Sequence, residues 1–190
     1  MIFTSPVFII FFIVVLLGTL IIQKFFTIKT KHIFLLIASY FFYGWWDWRF
    51  CFLLLFVTVM SYFTAFYARK KFAYFIGISV PLIVLGIFKY FNFFLSSIAA
   101  LTNHEFVTLK IILPVGISFY TFQALSYVID VKRGKIPVEK DFIKLALYIS
   151  FFPQLVAGPI VRASEFLPQL HENSRNLTSE NFMIGIQILR

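Results

Sequence analysis

The residue types able to do chemistry gather between positions 113 and 170. The first group is Leu113-Pro114-Val115-Gly116-Ile117-Ser118-Phe119-Tyr120-Thr121-Phe122-Gln123, followed by Tyr127 and Asp130. The second runs Ser150-Phe151-Phe152-Pro153-Gln154-Leu155-Val156-Ala157-Gly158-Pro159-Ile160-Val161-Arg162 and leads to Phe166-Leu167-Pro168-Gln169-Leu170. Gln123 and Tyr127 stand four apart, so a helix places them on one face. Such a pair either lines a polar groove between helices or joins helices by hydrogen bonds. Pro153 and Pro159 break the second group. They point either to a re-entrant segment whose freed amides and carbonyls line a pathway, or to a loop turning back to the membrane surface.

Acid–base and metal chemistry have few candidates. The three histidines, His32, His104 and His171, fall in a basic loop, a connection and a polar segment, and each is expected at a surface or interface. Neither a Ser-His-Asp set, a Gly-rich phosphate loop nor a metal-ligand spacing occurs. Cys51 is the lone cysteine, so an intrachain disulfide is excluded, and its neighbours Phe50, Phe52 and Leu53 suit a buried small apolar residue.

The elements that must position these residues are long apolar runs. Pro6–Ile22, Phe50–Ala68, Phe72–Phe88 (with Pro81) and Ile111–Ile129 each approach the roughly 20 residues that a crossing helix needs. His32–Trp46 is shorter and ends in Tyr43-Gly44-Trp45-Trp46-Asp47-Trp48-Arg49, an aromatic cluster suited to the headgroup boundary. Asn92–Leu101 either prolongs the fourth helix or lies along the interface. Phe142–Val161 is broken by its prolines, and Asn176–Arg190 starts a further helix with Thr178 or Ser179 as N-cap. If the N-terminus is outside and each of the first five segments crosses, loops 23–31, 69–71 and 130–141 lie in the cytoplasm with ten Lys or Arg, against three opposite: Arg49, Lys89 and Lys110. That asymmetry obeys the positive-inside rule.

Composition agrees. The chain is 61% hydrophobic and 13% charged, with 28 phenylalanines, and a soluble fold has no place for that apolar surface. The net charge of +9 is dispersed among loops between apolar runs rather than along a water-facing stripe, which excludes nucleic acid as a partner. The N-terminus has no basic n-region, so its apolar run is a retained span. The expected fold is all-α: a polytopic transmembrane bundle of about six spanning or partly re-entrant segments, with residues 1–190 as one membrane domain.

The strings LPVGISFYTFQALSYVIDVKRGKI and LYISFFPQLVAGPIVRASEFLPQL, then NLTSENF, with the weaker Tyr-Gly-Trp-Trp cluster at 43–46, resemble the membrane-bound O-acyltransferase family, nearest its alginate O-acetyltransferase-like branch. The resemblance covers most of the chain. It implies a multi-pass enzyme of the bacterial inner membrane that moves an acyl group, expected to be acetyl, onto hydroxyls of an exported polysaccharide such as alginate. No bound cofactor is implied. The acyl donor, acetyl-CoA or an acyl carrier, comes from the cytoplasm, and partner proteins complete an acylation and export complex. The general base implied is a membrane-embedded histidine in a Trp-His-Gly context, an imidazole being suited to that task. None of the three histidines here has that context, so the catalytic histidine is expected beyond Arg190. The chain then corresponds to the N-terminal portion of a larger domain and is inactive alone. Within that reading Pro114, Gly116, Ser118, Gln123, Tyr127, Asp130, Pro153, Gln154, Gly158, Pro159 and Arg162 shape a tunnel and its mouth. Arg162 and the Lys132–Lys135 cluster would attract an anionic donor, though the positive-inside rule explains the lysines equally. The competing expectations are a non-catalytic membrane scaffold, a truncated inactive product or a transporter component. The last is weakened by the lack of charged residues deep in the spans.

Overall fold

The computed structural model describes residues 5–102, 112–155 and 161–171, and every regular element among them is a helix. Helix α1 (Pro6–Phe25) starts where the Ser5 hydroxyl accepts from Phe8 N at 3.2 Å, with Pro6 preset for the first turn. Only Val15 of α1 is buried, so its isoleucines, leucines and phenylalanines need an apolar solvent. Helix α2 (Ile28–Asp47) is capped by Thr27. Trp48 alone separates it from α3 (Arg49–Phe66), and the Asp47 carboxylate accepts from both the Arg49 backbone and its guanidinium there. Helix α4 (Lys71–Thr102) contains Pro81, and crosses α3 where Gly77 leaves no room for a Cβ beside the Thr64 side chain. Three helical segments are long and apolar enough to cross a membrane: Pro6–Phe25, Arg49–Phe66 and Lys71–Leu95. The protein is a helical membrane protein.

Helix α5 (Ile117–Lys132) packs on α3, with Tyr120, Ala124, Tyr127 and Val128 meeting Leu54 and Val57 in one fully buried cluster. Lys132 Nζ donates to Ala68 O at 2.6 Å and lies over the Tyr74 ring, so the ends of α3 and α5 share one end of the bundle. There the ammonium bonds a carbonyl of the turn that follows α3. After the loop, α6 (Phe142–Ser150) runs into the bundle for about 13 Å. The chain then breaks at Phe151, makes the single turn α7 (Phe152–Leu155), and returns through α8 (Ala163–His171). His171 closes the return, its Nε2 2.6 Å from Glu139 Oε2 and its Nδ1 2.7 Å from Lys144 Nζ. The described arms, 142–155 and 161–171, therefore form a hairpin that enters and leaves at one end of the bundle, the end that carries Arg69 and Lys132.

Several boundaries differ from those expected. Residues 92–102 continue α4, which is the first of the two alternatives the sequence left open for Asn92–Leu101. The helix expected over Ile111–Ile129 begins only at Ile117 and runs to Lys132, because Pro114 and the left-handed Gly116 stop it from starting sooner. Lys29 and Lys31 sit in the first turn of α2, which lengthens the short second segment to 20 residues. His32 is not at a surface: it is 2% exposed, near Lys31, Asp141, Lys144 and His171. His104, the Asn176–Arg190 segment with Thr178 and Ser179, Gly158 and Pro159 lie outside the described residues.

Candidate functional site

The two motif-bearing groups meet at the hairpin tip. Gly116 takes φ +73 as it opens α5, and the Leu155 carbonyl fills the place where a Cβ would stand. No other residue type combines that backbone sign with that approach without strain. Two residues upstream, Pro114 is buried, and the Val115 carbonyl accepts from the Tyr43 hydroxyl of α2 at 3.0 Å.

About two turns of α5 beyond Gly116, Gln123 Nε2 donates to the Tyr148 carbonyl at 2.8 Å. Tyr148 lies in the last turn of α6, where a carbonyl has no partner in its own helix, so Gln123 caps that end. The Tyr148 hydroxyl donates to Val161 O at 3.0 Å and ties the entering arm to the returning one. Ser39 of α2 accepts from Phe152 N at 3.2 Å and satisfies the amide that opens the tip turn. Phe152 itself is buried against Phe11 and Phe42, with ring centroids 5.2 Å and 5.6 Å away. Tyr127, one turn below Gln123, accepts from Glu139 N at 3.0 Å. Thus Gln123 and Tyr127 share a face, as their spacing requires, and both join segments by bonding backbone groups.

Two buried polar atoms near this junction have no hydrogen-bond partner among the described residues: the Gln154 carbonyl oxygen and the Tyr120 hydroxyl. The Tyr120 ring meets the Tyr43 ring edge to face, with centroids 6.2 Å apart. Buried polar groups are nearly always paired, so such atoms mark places where a native partner is still owed. Pro153 and Ser118 are half-buried. Arg162 is exposed, and its carbonyl accepts from Glu165 N and Phe166 N at the start of α8. Asp130 stands apart at the other end of α5, 3.7 Å from Lys135 Nζ.

Acid–base chemistry gains nothing from the described histidines. Both ring nitrogens of His171 are engaged, by Glu139 and Lys144, and His32 is buried at the basic end of the bundle rather than at the tip. Among the described residues no group of three His, Cys, Asp or Glu is arranged to hold a metal. Sequence reading did not single out Ser39 or Tyr148, named Tyr120 only within the first motif, and expected Tyr43 at the headgroup boundary, whereas it is buried with its hydroxyl on Val115 O. The available signal was a hydroxyl inside an apolar run, since a buried tyrosine needs a partner for its OH.

Comparison with known proteins gives relatives over nearly the whole chain. The chain is 40% identical over 97% of its length to the protein named Probable alginate O-acetylase AlgI of Pseudomonas aeruginosa, covering 37% of that protein. It is 38% identical over 97% of its length to the protein of the same name in Pseudomonas syringae pv. tomato, again covering 37%. It is 33% identical over 99% of its length to the peptidoglycan O-acetyltransferase of Helicobacter pylori, covering 42%. The chain thus spans well under half the length of these relatives, and the resemblance to alginate O-acetyltransferase-like proteins is borne out. No family model matches the chain, and no solved structure does.

Proposed function

We propose that this chain forms the tip-and-scaffold portion of a multi-pass O-acyltransferase of the bacterial inner membrane, which transfers an acetyl group to hydroxyls of an exported polysaccharide. The observation that carries the reading is the junction of Gly116, Gln123, Tyr148 and Leu155, which packs together the two motif-bearing segments through which the sequence resembles O-acyltransferases. Acyl transfer from a thioester needs a base for the acceptor hydroxyl and a pathway that keeps water from the thioester. The chain's part is the pathway. Gln123 and Tyr148 hold the hairpin rigid, and the Gln154 side-chain oxygen, without a hydrogen-bond partner among the described residues, stands beside the junction. The base is supplied by residues outside the described part. Acetyl-CoA or an acyl carrier is the donor substrate, and partner proteins deliver the polymer.

A chimera tests this reading, with residues 1–190 replacing the matching segment of the Pseudomonas aeruginosa relative in cells lacking that protein. Ester-linked acetyl on the secreted polysaccharide should return. Gln154→Ala or Arg162→Ala should lower it by roughly tenfold to a hundredfold, the cost of misplacing groups around a reacting centre, while membrane insertion is unchanged. Full acetylation in both variants would sink the assignment of the tip to the active site. A well-inserted chimera without acetylation would favour a non-catalytic scaffold.

A further inference from the structure

A cavity lies away from the tip, between the loop 136–140 and α8, with a volume of about 620 Å³. Ile136, Pro137, Val138, Leu167 and Pro168 make its walls apolar, and it reaches from His171 along α8 to Ala163. That is nine helical residues, about 13 Å of slot. Its polar end is basic. Lys140 lines it directly, and Lys144 joins it through the 2.7 Å contact with His171. Two carboxylates lie in this cluster, and both are turned to internal partners: Glu139, 7% exposed, accepts from Asp141 N at 2.9 Å and meets His171 Nε2 at 2.6 Å, and Asp141 accepts from Ile143 N at 2.9 Å. The cavity opens at the bundle end shared by Lys132 and Arg69, the side that the positive-inside rule assigns to the cytoplasm.

We propose that this slot binds one anionic phospholipid, with an acyl chain against Leu167 and Val138 and its phosphate at Lys140 and Lys144. An elongated apolar slot with two ammonium groups at one end matches an amphiphilic anion, and the cytoplasmic leaflet is rich in such lipids. The lipid would brace α8 against the 136–140 loop where the hairpin leaves the bundle. Its binding is independent of acetyl transfer and can be read whether or not the chain serves an acyltransferase.

The probe is native mass spectrometry of the full chain, released from phosphatidylcholine vesicles or from vesicles of phosphatidylcholine with phosphatidylglycerol. One phosphatidylglycerol should stay bound in preference to phosphatidylcholine. Lys140→Gln and Lys144→Gln should each weaken its retention by roughly fivefold. Ser164→Trp, placed at an exposed position lining the slot, should abolish it without altering the elution of the protein. Equal retention of both lipids, or phosphatidylglycerol retention that survives Ser164→Trp, would overturn the proposal.

Discussion

At Gly116 the backbone takes φ +73 while the Leu155 carbonyl occupies the Cβ position, so an alanine there must both adopt a left-handed conformation and displace a backbone atom of the tip. The conformational part alone costs about 1–2 kcal/mol. Gly116→Ala should therefore lower the unfolding midpoint of the purified protein in detergent. Gly134→Ala is the control: it shares a positive φ of 70 but meets nothing within 4 Å. A smaller loss at Gly116 than at Gly134 would mean that the tip does not press on α5. Pro114, Gly116 and Pro153 were legible as special positions because apolar helices seldom carry such residues without cause. Their partners were not. Nothing in the spacing says that Leu155 meets Gly116, or that Gln123 reaches Tyr148 across 25 residues, because tertiary packing chooses among many carbonyls of equal chemistry.

Among the elements, the end of α5 is joined to the turn between α3 and α4 by Lys132, whose ammonium donates to Ala68 O and Arg69 O at 2.6 and 3.3 Å. Replacing it with methionine keeps the stem and removes the charge. Lys132→Met should then speed amide hydrogen exchange around residues 67–71, since a turn opens more readily when its carbonyls lose a donor. Unchanged exchange would show that the Tyr74 and α5 packing alone holds that end. The apolar runs made helices α1, α3 and α4 legible, for length and composition suffice to identify such segments. The start of α5 and the hairpin were harder to place. Phe142–Val161 has enough apolar residues for a crossing, yet α6 ends after 9 of them. Ser39, Gln123 and Tyr148 supply the hydrogen bonds that let the backbone turn there instead, and those donors and acceptors lie far apart in sequence. His32 misled for a similar reason: it follows a basic cluster, but α2 extends back over that cluster and buries it.

For the whole molecule, the basic loops expected on one side of a membrane are in fact neighbours in space. Lys132 touches the 68–69 carbonyls, and the Tyr62 hydroxyl donates to Lys140 O at 2.8 Å. His32 near the start of α2 lies by Asp141, Lys144 and His171. Trp45, Trp46 and Trp48 are exposed at the opposite end of α2, where aromatic side chains suit the headgroup layer. The charge asymmetry and the three-dimensional arrangement thus divide the chain in the same way, and that division predicts that the arms 142–155 and 161–171 enter and leave a membrane on one side. Sided labelling tests this most directly. In a Cys51→Ser background, single cysteines at Lys140, Gln169 and Trp48 are exposed to a membrane-impermeant maleimide added to intact cells or to inverted vesicles. Lys140→Cys and Gln169→Cys should both react only in inverted vesicles, and Trp48→Cys only in intact cells. Reaction of Lys140→Cys and Gln169→Cys from opposite faces would mean that the segment between them crosses the membrane, and the hairpin with its tip site would be contradicted.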